Sequence, residues 1–531
     1  MEKEERILLP ASVNPVSYEI TLDPDFNGEK FEGFVRISCT VIETCLYLEL
    51  HSKSIMVNDA SIRFKGNSWG ATDTIKSVFC PLGGEEEATF AVNLAAKGPQ
   101  FFEDCFELLY PLPKPDLIGV LEFSTGAMED RGAIILRTTN LLLNPKDSAL
   151  DTMQRIAGTI LHEISHMWFD DLVKMRHWDG LWLRECFVTL MPWYAADKMF
   201  PSWHFWDSYL IADPTDAKQI YDKISYQKGS CILRVVPNSL GDTKFFDGLK
   251  LYHRRYQFQC TESDDLWKAQ EEVIGGSIEA SMKVYTKYPG FPVLRVSESH
   301  DESGNLTGVG LFHHSFLTSG LQSSVDMNTR ELILPSSDDL FKVKVDHGGF
   351  SRTSYSHDLL TRLLKEVSNG NLSLRDCVGL SCNLKVLVAG RMDKKSELLD
   401  LNVKFAKLDS FYVWGTIDRN LTSIHSVHKF HGPELSEGLR KLASDMIDPK
   451  AEELGWTISK DDDENFITFI TPKFSGVGLA ENPNIMSATK EPYWKRTAGH
   501  ENAIPGSLWW KVFGIAAAHG GLEELEALVD L

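Results

Sequence analysis

The sequence predicts a multidomain α+β protein, and three observations carry that expectation. With 531 residues, 43% hydrophobic and 24% charged, the chain has an ordinary globular composition and length for roughly three or four domains. Apolar residues alternate by twos near the N-terminus, as in strands with one covered face. In the middle and last parts they recur at three- and four-residue spacing, as in amphipathic helices. Acidic residues outnumber basic ones by 75 to 54, a formal net charge of −21, which argues against partners such as nucleic acid or an anionic membrane.

Taken in order, Val16, Tyr18, Ile20 and Leu22 alternate with Ser17, Glu19, Thr21 and Asp23, and Leu46, Leu48 and Leu50 with Tyr47 and Glu49. Residues 1–97 therefore read as an antiparallel β domain. Residues 98–290 change character, with prolines between Pro111 and Pro115, a strand near Leu117–Phe123, and then long helical patterns. Residues 291–356 return to short β runs, Val293–Val296, Leu332–Leu334 and Phe341–Val345, and predict a small β-sandwich module. Beyond them, Leu359, Leu360, Leu363 and Leu364, then Leu435, Leu439 and Leu442, place residues 357–531 in a helical domain. Its last stripe, Leu522, Leu525, Leu528 and Val529, has no following element to cover it; a truncated domain or a partner surface is expected.

Nine cysteines without a CxxC pair predict free thiols. The opening MEKEERILLP lacks a signal peptide's apolar core, and no apolar run approaches the roughly 20 residues that span a bilayer. A cytoplasmic location is the resulting expectation, under which the sequons at Asn305, Asn371 and Asn420 are chance matches.

The chemistry concentrates at His162-Glu163-Ile164-Ser165-His166. Residues four apart on a helix share a face about one turn from each other, so both imidazoles can grip one ion. From Ile156 to Phe169 the helix is apolar almost all round, which predicts burial. Two imidazoles and a carboxylate cannot be buried unpaired without a cost of several kcal/mol each, so something polar or metallic must meet them. Glu185 follows His166 after eighteen residues, within Leu181–Phe187. A carboxylate from a second helix completes a His2Glu site for one Zn2+ with its fourth position open.

Taken with two further motifs, this pattern resembles the zinc aminopeptidase family (gluzincins) that includes puromycin-sensitive and fungal cytosolic aminopeptidases. Gly126-Ala127-Met128-Glu129-Asp130 is similar to the family's GAMEN motif with Asp for its final Asn, and Ile224-Ser225-Tyr226-Gln227-Lys228-Gly229 resembles the segment bearing the family's catalytic tyrosine. The resemblance implies a thermolysin-like catalytic domain at 98–290. It also implies Zn2+ held by His162, His166 and Glu185, Glu163 as general base and acid, and Tyr226 as hydrogen-bond donor to the oxyanion. Glu129 would pair with the substrate's free α-amino group, beside Gly126, Ala127 and Met128, where the substrate backbone lies as an added strand. The expected function is hydrolysis of the N-terminal peptide bond of peptides.

Against the family pattern the β domain is shortened and the C-terminal helical domain truncated. A catalytically impaired paralogue that binds zinc or peptide without efficient turnover is therefore the competing expectation. Asp170 stands where the family has the glycine closing the HExxH helix, which predicts a weakened helix end. Pro192, seven residues after Glu185, predicts a kink or a cost of about 3 kcal/mol in the ligand's helix. Arg184 and Cys186 flank Glu185 where the family has Asn and Gly.

Overall fold

A computed structural model describes residues 13–25, 28, 30–42, 77–112, 114–144, 148, 150–206, 228–287, 291–303, 306–317, 320–322, 341–428, 431–454, 483–500, 503–504 and 509–529. The chain divides into two units, Met1–Asp73 and Thr74–Leu531. In the first, β1 (Val13–Asp25) and β2 (Lys30–Val41) pair antiparallel, with Tyr18 opposite Ile37 and Ile20 opposite Val35 and a bulge between Pro15 and Ser17. The alternation read from the sequence thus becomes a two-stranded ribbon. Leu46, Leu48 and Leu50 lie outside the described residues.

In the second unit β3 (Ser77–Phe79), β4 (Asp116–Val120), β5 (Ala127–Met128) and β6 (Ala133–Arg137) form a sheet in the order β3-β4-β6-β5. The first three strands in that order run parallel and β5 is the antiparallel edge. Helix α1 (Thr89–Phe106) carries Gly98 and Pro99 in its interior, so the boundary expected after residue 97 falls inside a helix. Its Gly98 has a packing reason, because a Cβ there would lie 3.1 Å from both Leu161 and Ile164 of α2 (Leu150–Ser165). Close approach of the two helices, not a break between domains, explains the glycine.

Helices α1, α2 and α3 (Leu181–Met199) share one large core with Phe102, Phe106, Trp168, Phe187 and Trp267 at its centre. Burial of this much aromatic surface is the main stabilising contribution, on the order of 1.5–3 kcal/mol for each large side chain. It also holds Pro192: α3 continues through the proline to Met199, with Pro192 and its neighbours Leu190 and Met191 buried. Tertiary packing outweighs the lost backbone hydrogen bond.

Buried in the same core, His253 of the helix Asp242–Tyr256 lies with its ring 4.6 Å from that of Phe169 and 5.1 Å from that of Phe106, and its Nδ1 is 2.9 Å from the Leu249 carbonyl oxygen. Burial lowers this imidazole from 6.5 to about 4. Between those values the unfolded chain binds the proton and the folded chain resists it, so stability is full above pH 6.5 and falls as the pH drops toward 4. Denaturant melts at pH 7.5 and pH 5 should show wild type losing about 2 kcal/mol that His253→Leu does not lose; equal losses would contradict the burial argument.

Strands β7 (Val173–Met175) and β8 (Gln259–Thr261) form a short parallel pair. Farther along, β9 (Phe291–His300), β10 (Leu306–Leu317), β11 (Gly320–Gln322) and β12 (Arg352–Tyr355) form a second four-stranded sheet in the order β11-β10-β9-β12. Among the described residues this is one sheet, with Leu359 and Leu363 of the helix His357–Ser368 packed with Val296 and Val309. The run Phe341–Val345 is not a strand. Lys344 adopts a positive φ of 61°, and Lys342 turns its ammonium onto the Lys344 carbonyl at 2.6 Å. Leu332–Leu334 lies outside the described residues.

The helices from His357 onward share a separate core that includes Leu364, Leu401, Phe405, Val413, Ile417 and Tyr493. Asn420 is buried there, donating to Ser381 Oγ at 2.9 Å and Asn402 Oδ1 at 3.0 Å. That rules it out as a glycosylation acceptor in the folded chain. In the last helix, Leu522–Val529, Leu522 and Val529 are exposed. No described helix is long and apolar enough to cross a membrane.

Candidate active site

Helix α2 presents His162 and Glu163 in its last turn, and the chain turns out of the helix at His166. The i, i+4 spacing sets the two imidazole centroids 5.0 Å apart at 76°. Glu185, in the second turn of α3, brings Oε2 to 3.7 Å from His162 Nε2 and 3.8 Å from His166 Nε2. These separations are too long for hydrogen bonds. They lie close to the roughly 3.3–3.5 Å between ligands that each sit about 2.1 Å from one tetrahedral ion.

Two details fit this donor set to a divalent ion. Glu185 Oε2 is buried and has no hydrogen-bond partner, a loss of on the order of 1–3 kcal/mol unless something satisfies it. His166 Nδ1 lies 3.2 Å from the Phe169 carbonyl oxygen, which puts the proton on Nδ1 and frees Nε2 as a ligand. Burial, then the nearby His162, drives His166 well below its usual range, toward the neutral imidazole a metal requires. Burial would raise Glu185, but the two imidazoles and Arg184 outweigh it and hold the carboxylate at about 2.

Glu163 is not in this triad, yet one ligand atom each from Glu129, Glu163 and His166 lie within 4.8 Å of one another. Burial pushes Glu163 up to about 7, with Glu129 and Glu185 adding to the effect against His162 and Arg184. A cation held by the three ligands would draw it down again. Glu129 follows directly on the edge strand β5, which lies against α2. The chain there is tied in place: Arg137 N and Asn140 Nδ2 donate to the Gly126 carbonyl at 3.1 and 3.0 Å, and Arg155 of α2 donates to Asn140 Oδ1. A Cβ on Gly126 would come within 2.9 Å of that same Asn140 amide. Among the described residues β5 has only β6 as its neighbour, which leaves its other edge open in the sheet.

Of the residues expected at the site, His162, Glu163, His166, Glu185 and Glu129 are brought together, and Gly126, Ala127 and Met128 form or adjoin the edge strand. Tyr226 lies outside the described residues. Three residues after it, Gly229 begins a helix, where a Cβ would lie 2.8 Å from Cβ of Cys186, the neighbour of Glu185.

The sequence reading missed Arg184. Its Nε and Nη2 both reach Glu185 Oε1 at 2.8 Å, its Nη1 reaches Asp170 Oδ2 at 2.9 Å, and Nη2 also reaches Glu129 Oε1 at 2.9 Å. Burial disfavours the charge, but Glu185, Asp170 and Glu129 outweigh it and keep the guanidinium protonated. Asp170, expected to weaken the helix end, lies beyond it: α2 stops at Ser165, and Asp170 has φ 149° with its carboxylate on Arg184. Two departures from the family pattern, an added acid and an added base, thus meet as an ion pair.

Fold and site together place a His2Glu cluster that could hold a metal ion on a helix-rich domain, with an edge strand beside it. The sequence profile of the peptidase family M1 domain matches residues 90–214 and 210–285, and that of the ERAP1-like C-terminal domain matches residues 340–531. Aminopeptidase 2 of Candida albicans is 32% identical over 495 residues, covering 86% of this chain and 54% of its own length. Alanine/arginine aminopeptidase of Saccharomyces cerevisiae is 32% identical over 499 residues, covering 86% and 57%. Puromycin-sensitive aminopeptidase of Caenorhabditis elegans is 26% identical over 506 residues, covering 86% and 53%. The chain belongs to peptidase family M1. It spans about half the length of these curated relatives.

Proposed function

We propose that this chain is a zinc-dependent aminopeptidase that hydrolyses the N-terminal bond of peptides, as the names of its relatives suggest. The observation that carries the reading is the buried, unpartnered Glu185 Oε2 facing two imidazole nitrogens at 3.7 and 3.8 Å. His162, His166 and Glu185 would hold the ion, and Zn2+ bound there supplies the Lewis acidity that polarises a scissile carbonyl and activates water.

The protein's own groups divide the remaining work. A carboxylate oxygen of Glu163 takes the proton of the attacking water and returns it to the leaving amine. Glu129 receives the α-ammonium group, which limits cleavage to the first bond by fixing its distance from the metal site. The open edge of β5 at Gly126–Met128 binds the substrate backbone by strand addition. Tyr226 donates to the developing oxyanion, a contribution on the order of 10²–10³ in rate for such donors. The catalytic block then extends upstream of residue 98 to the start of the second unit at Thr74 and ends at 290, followed by the β module at 291–356 and the helices at 357–531. A cytoplasmic setting is part of the same proposal.

An aminoacyl-anilide with a free amino group should be hydrolysed while its N-acetylated form is not. Equal rates on both would remove Glu129 from its role. Zinc binding with hydrolysis of neither would favour a chain that binds without turnover.

A further inference from the structure

We infer that Arg184 is the positioning residue of the metal centre, selecting which oxygen of Glu185 faces the ion. The inference deepens the zinc reading and rests on it. A carboxylate ligand has two chemically equal oxygens and free rotation about its terminal bond, so a monodentate geometry must be imposed from outside. Here Nε and Nη2 of Arg184 both donate to Oε1 at 2.8 Å, while Oε2 has no donor and is directed between the two imidazoles. One oxygen is satisfied by the guanidinium and the other is reserved for the ion.

The guanidinium is itself held. Asp170 takes Nη1 at 2.9 Å and Glu129 takes Nη2 at 2.9 Å, and the Arg184 side chain is only 11% exposed. Three carboxylates from three parts of the chain therefore fix one planar fork, a task a lysine ammonium cannot reproduce because its donors are not coplanar and its stem is flexible. Nη2 also bridges Glu185 and Glu129, so the carboxylate that holds the metal and the one assigned to the substrate's amino terminus are aligned by the same nitrogen. Outer partners of metal ligands are typically worth 10–100-fold in metal affinity.

The test is zinc affinity by competition with a chromophoric chelator, together with the visible spectrum of the cobalt-substituted chain, in wild type, Arg184→Gln, Arg184→Lys and Asp170→Asn. Arg184→Gln and Arg184→Lys should bind zinc about 10–100-fold more weakly, and Asp170→Asn should show a smaller loss. The cobalt bands of both Arg184 variants should weaken as Glu185 turns to offer both oxygens and the coordination number rises. A merely structural role would lower the melting temperature and leave the ligand field unchanged. Wild-type zinc affinity and an unshifted cobalt spectrum in Arg184→Lys, which keeps the charge, would overturn the inference, whether or not Arg184→Gln folds. A wild-type chain that binds no zinc would overturn the metal reading with it.

Discussion

Glu163→Gln should lower turnover by on the order of 10³-fold while leaving zinc bound. The change is isosteric and removes only the ability to accept and return a proton. The ligand triad of His162, His166 and Glu185 is untouched, and Glu163 lies beside it without belonging to it. Burial raises the native carboxyl to about 7, so a neutral amide should also fit the site at little cost in stability. The measurements are kcat on an unblocked aminoacyl-anilide and zinc content after gel filtration. Retained turnover would contradict the assignment of the base; lost zinc would show Glu163 to be a ligand.

The second large effect is expected from Glu185→Gln. An amide oxygen can still accept from Arg184 Nε and Nη2, so the contacts that hold the guanidinium survive. What is lost is the anionic donor that completes the site, since two neutral imidazoles alone make a weak zinc ligand set. Zinc should then be removed by brief dialysis against a chelator that wild type withstands, and hydrolysis should fall to background. A variant that kept both its metal and its rate would mean that Glu185 serves Arg184 only.

Much of this site is legible in sequence because helical geometry is local. Two histidines four apart on an apolar helix must share a face, and the 5.0 Å separation of their rings follows from that spacing. Glu185 is named by its eighteen-residue spacing from His166 and the Gly126–Glu129 segment by its resemblance to a family motif, since nothing local says that α3 and β5 meet α2. Arg184 and Asp170 show the limit most clearly. Read singly they are two unfavourable departures, fourteen positions apart; folded, they are 2.9 Å apart and support the ligand beside them.

The fold shows the same division. Period-two alternation at Val16–Leu22 and the leucine stripe at Leu359–Leu364 gave correct elements, but only the leucines are packed; Val16, Tyr18, Ile20 and Leu22 are exposed. Residue 98, expected to open a new domain, lies inside α1, and Pro192, expected to strain the ligand's helix, lies inside α3. In both cases long-range packing, which no window of sequence contains, decides the outcome. Phe341–Val345 fails as a strand for a related reason: its lysines turn onto backbone carbonyls and Lys344 takes a left-handed conformation.

Elemental analysis of the purified, zinc-loaded and desalted chain addresses the metal centre most directly. About one zinc per chain, retained by wild type and by Glu163→Gln but lost from Glu185→Gln, is the expected result. A wild-type chain that emerges without zinc would mean that His162, His166 and Glu185 meet for another reason, and the hydrolytic reading would go with it.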